Sequence, residues 1–196
     1  IERRAIFLSD ADRQDFLARI EAAVDNDAAS IYAWCLMPNH FHPAIRTGDA
    51  KLSTTMKRIL GGYAVSFNKR HKRHGYLFQN RFKSIVVDEE NYLLTLIRYI
   101  HLNPVRAGMV PNVEDLKNYS WTGHSALMGK CKHIWQETEE ILRRFAPTTG
   151  KARQELAAFM KTSEAKQDEM RFKGGGLVRS MGGMANFQSR GKKERW

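Results

Sequence analysis

Two strand-like runs, separated by a Pro-Asn turn, place two histidines on a predicted hairpin. The first run covers residues 31–36, and the second begins at His40. Side chains alternate along an extended strand, so His40 and His42 point to one face and Phe41 to the other. Along the strand the two imidazoles then lie about 6–7 Å apart, which allows both to converge on one divalent metal ion. The alternative is an ordinary hairpin with one partly buried and one surface histidine.

A long basic segment follows the hairpin. The 196-residue chain has a formal net charge of +11, and residues 50–87 contain no Asp or Glu. Aromatic residues are interleaved with the positive charges, which favours a track that binds a phosphate backbone and stacks on bases. A solvated basic loop is the alternative. The predicted DNA-binding residues are Lys57, Arg58, Lys69, Arg70, Lys72, Arg73, Arg81 and Lys83.

Apolar spacing predicts three helices around the hairpin. The first follows Ser9-Asp10, the second lies within the basic segment, and the third begins after Asp88. Residues 82–87 read as a further strand, and residues 5–8 are a candidate for a first strand. The resulting order predicts a ferredoxin-like α+β sandwich with an antiparallel sheet. The apolar stripes are Phe16, Leu17, Ile20 and Val24; Leu52, Met56, Ile59, Tyr63 and Phe67; and Leu93, Leu96, Ile97 and Ile100.

Two polar residues share a face of the third predicted helix. Tyr99 and Asn103 are four residues apart and lie off the apolar stripe. Pro104 disfavours further helix, so Asn103 is expected at or near the helix end. His101, between them, is expected at the surface or beside the residues that bind the metal.

Composition and length bound the remaining possibilities. No run of eighteen apolar residues exists, so no membrane span is predicted. Cys35 and Cys131 are far apart, which is typical of reduced thiols in a cytoplasmic protein. The chain divides into a domain over residues 1–118, a helical extension over 119–166 and a basic, Gly-rich tail over 167–196. Its start at Ile1 and abrupt end predict a piece of a longer protein.

Three motifs, in this order, resemble the REP-associated tyrosine transposases, which are single-tyrosine HUH transposases acting on single-stranded DNA. They are Met37-Pro-Asn-His-Phe-His42, Gly75-Tyr-Leu-Phe-Gln-Asn-Arg-Phe82 and Tyr99-Ile-His-Leu-Asn-Pro-Val-Arg-Ala-Gly108. The resemblance covers roughly residues 6–121. It implies a location in the cytoplasm, associated with the nucleoid.

The resemblance also implies a role for each matching residue. His40 and His42 match the pair that holds a divalent cation, Mg²⁺ or Mn²⁺, and Asn103 matches the residue that completes the metal site. Tyr99 matches the nucleophile, which attacks a DNA phosphate and forms a 5′-phosphotyrosine link. The implied substrate is single-stranded or hairpin DNA, in REP-like repeats. Whether the tyrosine and the metal site come from one subunit or from a homodimer stays open.

Alternatives remain for the chemistry. Tyr63 is a second candidate nucleophile, although it also fits the apolar stripe of its helix. Cys35 with His40 and His42 is a candidate zinc site. The whole protein could instead be a DNA-binding protein that keeps the fold without activity. Pro43, which cannot donate a backbone hydrogen bond, predicts an edge or bulged position for the histidine strand.

Overall fold

The computed structural model describes residues 4–27 and 29–162. These residues form an α+β structure with one antiparallel sheet, which confirms the predicted class. The predicted tail, residues 167–196, lies outside the described residues. In chain order the elements are α1 (Asp10–Asp27), β1 (Ser30–Met37), β2 (His40–Arg46), α2 (Leu52–Arg70), α3 (Glu89–His101), α4 (Asn103–Arg106), a 3₁₀ helix (Asp115–Asn118), α5 (His124–Leu127), α6 (Thr138–Arg143) and α7 (Thr149–Met160).

The predicted hairpin is the sheet of this structure. β1 pairs antiparallel with β2 in a register that sets Met37 opposite His40 and Cys35 opposite His42. The register shifts by one residue between Ile31 and Ala33, which is a bulge in β1. Within the described residues β2 pairs only with β1, so the predicted edge position of the histidine strand is confirmed.

The second edge of β1 is covered by chain from beyond the 3₁₀ helix. The amide of Leu36 donates to the carbonyl of Trp121 at 2.9 Å, and the amide of Glu137 donates to Ile31 at 2.9 Å. The predicted strands at residues 5–8 and 82–87 do not form. With this edge of β1 already hydrogen-bonded, a further strand has no place beside it.

The first two helices cover one face of the hairpin. Ser9 precedes α1 as its N-terminal cap. Its Oγ accepts from the amide of Asp12, and the Asp12 carboxylate accepts from the amides of Leu8 and Ser9. This reciprocal cap explains why the helix starts at this point. The core on this face contains the predicted stripes of α1 and α2, including Phe16, Ile20, Met56, Ile59, Tyr63 and Phe67.

The third helix and the chain after it cover the opposite face. Leu93, Ile97 and Ile100 of α3 are buried against β1, as the stripe predicts. The same core includes Leu127, Ile141, Leu142, Leu156 and Met160 from α5, α6 and α7. The predicted helices of the extension therefore share their core with α3. The boundary at residue 118 stays a prediction.

Candidate active site

The two histidines of β2 lie side by side on the face that α3 covers. Residues paired across antiparallel strands share a face, and the partners Met37 and Cys35 belong to the core formed with α3. The ring centroids of His40 and His42 are 4.9 Å apart at an interplanar angle of 85°. Phe41 points to the other face, where its ring packs 4.7 Å from Phe16. The predicted alternation is confirmed.

Both imidazoles are held in the neutral form, the form that can bind a metal. Burial lowers the pKa of His40, and burial together with the neighbouring His40 lowers the pKa of His42 to about 4. The Oδ1 of Asn39 lies 2.7 Å from Nδ1 of His40. With that oxygen as acceptor, Nδ1 carries the proton and Nε2 keeps its lone pair.

The side chain of Tyr99 reaches the histidine pair from α3. Its ring centroid lies 6.1 Å from that of His42, and the side chain is only partly buried. α3 presents Tyr99 here because its apolar residues face the sheet and turn this position toward the start of β2. The structure thus brings together His40, His42 and Tyr99.

Asn103 begins α4, immediately after a one-residue break at Leu102. Its Nδ2 donates to the carbonyls of Tyr99 at 2.9 Å and Ile100 at 3.1 Å, which are among those left without partners at the end of α3. Since the amide nitrogen is engaged in this way, the oxygen is the atom that can bind a metal. The predicted helix end is confirmed, and Gly108 at φ +69 closes the following turn.

Sequence reasoning missed Arg106 as a functional candidate. Its Nη1 donates to the carbonyl of Tyr99 at 2.9 Å, and its Cζ lies 5.0 Å from the centroid of the Tyr99 ring. The signal was present in the spacing, because residues seven apart return to the same helix face after two turns. The guanidinium is planar and always charged, so it both holds the tyrosine and adds positive charge beside it.

The rival nucleophile, Tyr63, is a core residue. It is fully buried in α2, and its hydroxyl donates to the carbonyl of Ile6. Burial, together with the nearby Asp12, raises the pKa of Tyr63, which disfavours the reactive phenolate. These contacts leave Tyr99 as the reactive candidate next to the histidine pair.

The zinc alternative is wrong. Throughout residues 4–27 and 29–162, no three His, Cys, Asp or Glu side chains gather closely enough to hold a metal ion. Cys35 is fully buried, burial raises its pKa to about 12, and its thiol contacts Sδ of Met37 at 3.7 Å.

Of the two positions expected for His101, the surface one is wrong. Its side chain is fully buried, and its ring centroid lies 5.7 Å from that of His124. Neither ring nitrogen of His101 has a hydrogen-bond partner in the described part of the chain. His101 lies four residues after Ile97, so the helical repeat turns it toward the core rather than toward Tyr99.

The basic segment is largely exposed, but two of its arginines contact other side chains of the fold. Arg70 forms ion pairs with Asp12 at 2.6 Å and Asp15 at 3.3 Å. Arg73 lies over the ring of Phe67, with Cζ 5.6 Å from the centroid. The other predicted DNA-binding residues, Lys57, Arg58, Lys69, Lys72, Arg81 and Lys83, are exposed.

The class of protein follows from comparison of this fold and sequence with known proteins. A solved structure of a REP-associated tyrosine transposase bound to a REP hairpin matches with a TM-score of 0.51 and 17% identity. The match covers 70% of this chain and 85% of that one, so the two share a fold.

The family model described as "Transposase IS200 like" matches residues 1–103, about half of the 196-residue chain. The chain belongs to this IS200-like transposase family. The matched region contains both histidines, Tyr99 and Asn103. No curated protein matches the sequence significantly. Among the described helices, none combines the length and the apolarity that crossing a membrane requires.

Proposed function

We propose that this transposase cleaves and rejoins single-stranded DNA with Tyr99 as its nucleophile. The observation that carries the proposal is the position of the Tyr99 ring, 6.1 Å from the ring of His42 and beside the histidine pair. β2 and α3 are distant in sequence, and folding brings Tyr99, whose side chain is partly buried, to the two imidazoles.

The chemistry is a phosphoryl exchange. The phenol oxygen of Tyr99 bonds to the phosphorus as the bond between phosphorus and the 3′-oxygen breaks. The phenol loses its proton, the departing 3′-oxygen gains one, and the products are a 5′-phosphotyrosine and a free 3′-hydroxyl. One phosphodiester replaces another, so the link keeps the energy needed for rejoining. Arg106 and Asn103 fix the backbone from which the phenol extends.

The residues present fit a divalent metal. Two neutral imidazoles and one amide oxygen, from His40, His42 and Asn103, suit Mg²⁺ or Mn²⁺ and leave positions for phosphate oxygens. The metal would polarise the phosphoryl oxygens and offset the weak nucleophilicity of a phenol with a pKa near 10 in free tyrosine. Titration with Mn²⁺, followed by electron paramagnetic resonance, tests this site without any DNA. His42→Ala and Asn103→Ala should weaken binding, while Tyr99→Phe should not.

The substrate is proposed to be a single-stranded or hairpin DNA, because the exposed basic surface between α2 and α3 suits a phosphate backbone. The similar solved structure is of a transposase bound to a REP hairpin. For the present protein, REP-like repeats are proposed as the first substrates to test. Binding should fall as salt rises, with log K decreasing by about 0.7 for each phosphate neutralised on a single strand.

The decisive test is a covalent adduct with labelled DNA hairpins and Mn²⁺, resolved on denaturing gels. Tyr99→Phe removes one oxygen and keeps the ring, so the adduct should vanish while DNA binding persists. Tyr63→Phe is the matched control and should still form the adduct. If Tyr99→Phe still reacts, the assignment is wrong. Wild-type protein that binds hairpins but never reacts supports a DNA-binding protein without activity. Mixing Tyr99→Phe with His42→Ala shows, by recovery of adduct, whether a homodimer shares its site.

A further inference from the structure

Tyr76 is the most exposed large hydrophobic residue among those the structure describes. Its side chain is 95% exposed, against 79% for the next, Ile134. Burial of an aromatic ring stabilises a fold. An exposed ring does not contribute in this way, so its position needs an explanation other than stability.

The neighbours of Tyr76 show that the loop has a core available to it. Leu77, Phe78 and Phe82 are partly buried against the core formed by α1 and α2. The ring of Phe78 lies 6.4 Å from that of Tyr63. Leu77, Phe78 and Phe82 therefore anchor the loop to this core. Tyr76, which lies between the end of α2 and these residues, points into solvent.

The start of the loop is also fixed. Nδ2 of Asn68 donates to the carbonyl of Gly75 at 2.8 Å, and the Asn68 carbonyl accepts from the amide of Arg73 at 2.9 Å. Nε2 of His71 lies 2.9 Å from the buried carboxylate of Asp12. Gly75 takes φ +89, a conformation that favours glycine, and this turns the chain at the residue before Tyr76. These hydrogen bonds fix the loop that holds the Tyr76 ring in solvent.

The charges around this ring select the kind of partner. Lys69, Lys72, Arg81 and Lys83 are exposed on the same segment, and residues 50–87 contain no acid. A partner that suits both this charge and an exposed ring carries phosphates and flat aromatic faces. Bases inside a duplex stack on one another, so the face that a tyrosine can cover belongs to an unpaired base.

We propose that Tyr76 is a stacking platform for an unpaired base of single-stranded DNA, beside a backbone held by the neighbouring lysines and arginines. The inference rests on the proposed function and adds a contact about 20 residues before the proposed nucleophile in sequence. Tyr76 binds the strand and takes no part in the phosphoryl exchange.

Abasic DNA tests this inference because it keeps the phosphates and removes the bases. Affinity is measured for a short oligothymidylate and for an abasic strand of equal length. Tyr76→Ala should weaken binding to the oligothymidylate about 5- to 150-fold, the usual range for one base stacked on an aromatic ring. It should leave binding to the abasic strand unchanged. Tyr76→Phe keeps the ring and should bind both strands as wild type does.

A charge variant separates stacking from phosphate contact. Lys72→Ala should weaken binding to both strands and reduce the salt slope by about 0.7 for one lost phosphate contact. Tyr76→Ala should leave that slope unchanged. The proposal is overturned if Tyr76→Ala binds the oligothymidylate normally, if it loses equal affinity for both strands, or if Tyr76→Phe fails as Tyr76→Ala does.

The Tyr99 adduct distinguishes this inference from the proposed function. Tyr76→Ala should need a higher DNA concentration than wild type to reach half of its maximal rate of adduct formation. If wild type forms the adduct and Tyr76→Ala binds DNA with wild-type affinity, only the stacking inference fails. If wild type binds no single-stranded DNA, both the proposed function and this inference are wrong.

Discussion

Arg106 connects Tyr99, the proposed nucleophile, to the helix that follows it. Its guanidinium donates to the Tyr99 carbonyl and lies against the Tyr99 ring, so one side chain restrains both backbone and ring. A tyrosine that attacks phosphorus in line must be held in a narrow range of orientations. Arg106 is therefore a positioning residue of the proposed site.

We expect Arg106→Ala to slow adduct formation about 10- to 100-fold, because small misplacements of a nucleophile cost that much. Quench-flow measurement of the adduct at saturating DNA gives this rate. Arg106→Lys is the informative companion, since it keeps the charge and loses the planar fork. A slow Arg106→Lys supports positioning, and a fully active one shows that charge alone matters.

The buried carboxylate of Asp12 accepts hydrogen bonds from groups at the start of α1 and at the end of α2. It accepts from the amides of Leu8 and Ser9 and from the side chains of Arg70 and His71. Burial alone would raise its pKa, but hydrogen bonds led by that from His71 outweigh burial and lower the pKa to about 2.

This carboxylate predicts an acid-sensitive contribution to stability. Its pKa is lower in the folded than in the unfolded state, so the contribution is present above pH 4 and is lost as the pH falls toward 2. Asp12→Asn should lower the free energy of unfolding by about 2–3 kcal/mol at neutral pH. Between pH 4 and pH 2, urea unfolding should show wild type approaching the variant. A constant difference across that range would contradict the prediction.

At the scale of elements, α2 contains two adjacent glycines in its middle. A Cβ on Gly61 would meet nothing within 4 Å, whereas one on Gly62 would collide with the guanidinium of Arg19. Arg19 in turn pairs with Asp15 at 3.1 Å. Gly62 thus allows α1 and α2 to approach, and Gly61 only weakens the helix.

We expect Gly61→Ala to raise the free energy of unfolding by about 0.5–1 kcal/mol, because alanine restricts the unfolded chain and favours helix. Gly62→Ala is the matched control. It gains the same helix propensity but must displace Arg19 from Asp15, so its net gain should be smaller. Urea denaturation measures both, and equal gains would show that Arg19 moves aside freely.

At the scale of the whole molecule, a buried arginine connects α3 to α7. Arg98 lies in α3, is 1% exposed, and stacks its guanidinium over Phe159 with Cζ 4.1 Å from the ring centroid. Its Nη1 also donates to the Phe159 carbonyl at 3.2 Å, in the last turn of α7. A positive charge at this helix end interacts favourably with the helix dipole.

Arg98→Ala should therefore lower the free energy of unfolding by about 2–4 kcal/mol, since it removes charged hydrogen bonds and leaves a cavity. Lys161→Ala is a control from the same end of α7. Lys161 pairs with Glu114 at 2.6 Å, but both side chains are exposed, and exposed ion pairs contribute little to stability. If the two variants lose equal stability in chemical denaturation, Arg98 does not anchor the extension.

The sequence by itself determined the hairpin, the apolar stripes of the helices and the helix face that Tyr99 and Asn103 share. Alternation along β2 places His40 and His42 together, and the 3.6-residue repeat sets Tyr99 apart from the core of α3. Both patterns are local, so they can be read without knowing what packs against them. The motifs around these residues also carried the family resemblance, which the match over residues 1–103 confirms.

Only the tertiary structure decided what surrounds these elements. Residues 82–87 have strand-like composition, yet they form no strand, and the second edge of β1 bonds instead to the chain near Trp121 and Glu137. Arg98 and His101 are polar residues by type but are buried, because α5 and α7 cover α3 from far along the sequence. Such contacts join residues tens of positions apart and leave no periodic signal, so folding alone reveals which polar residues the core encloses.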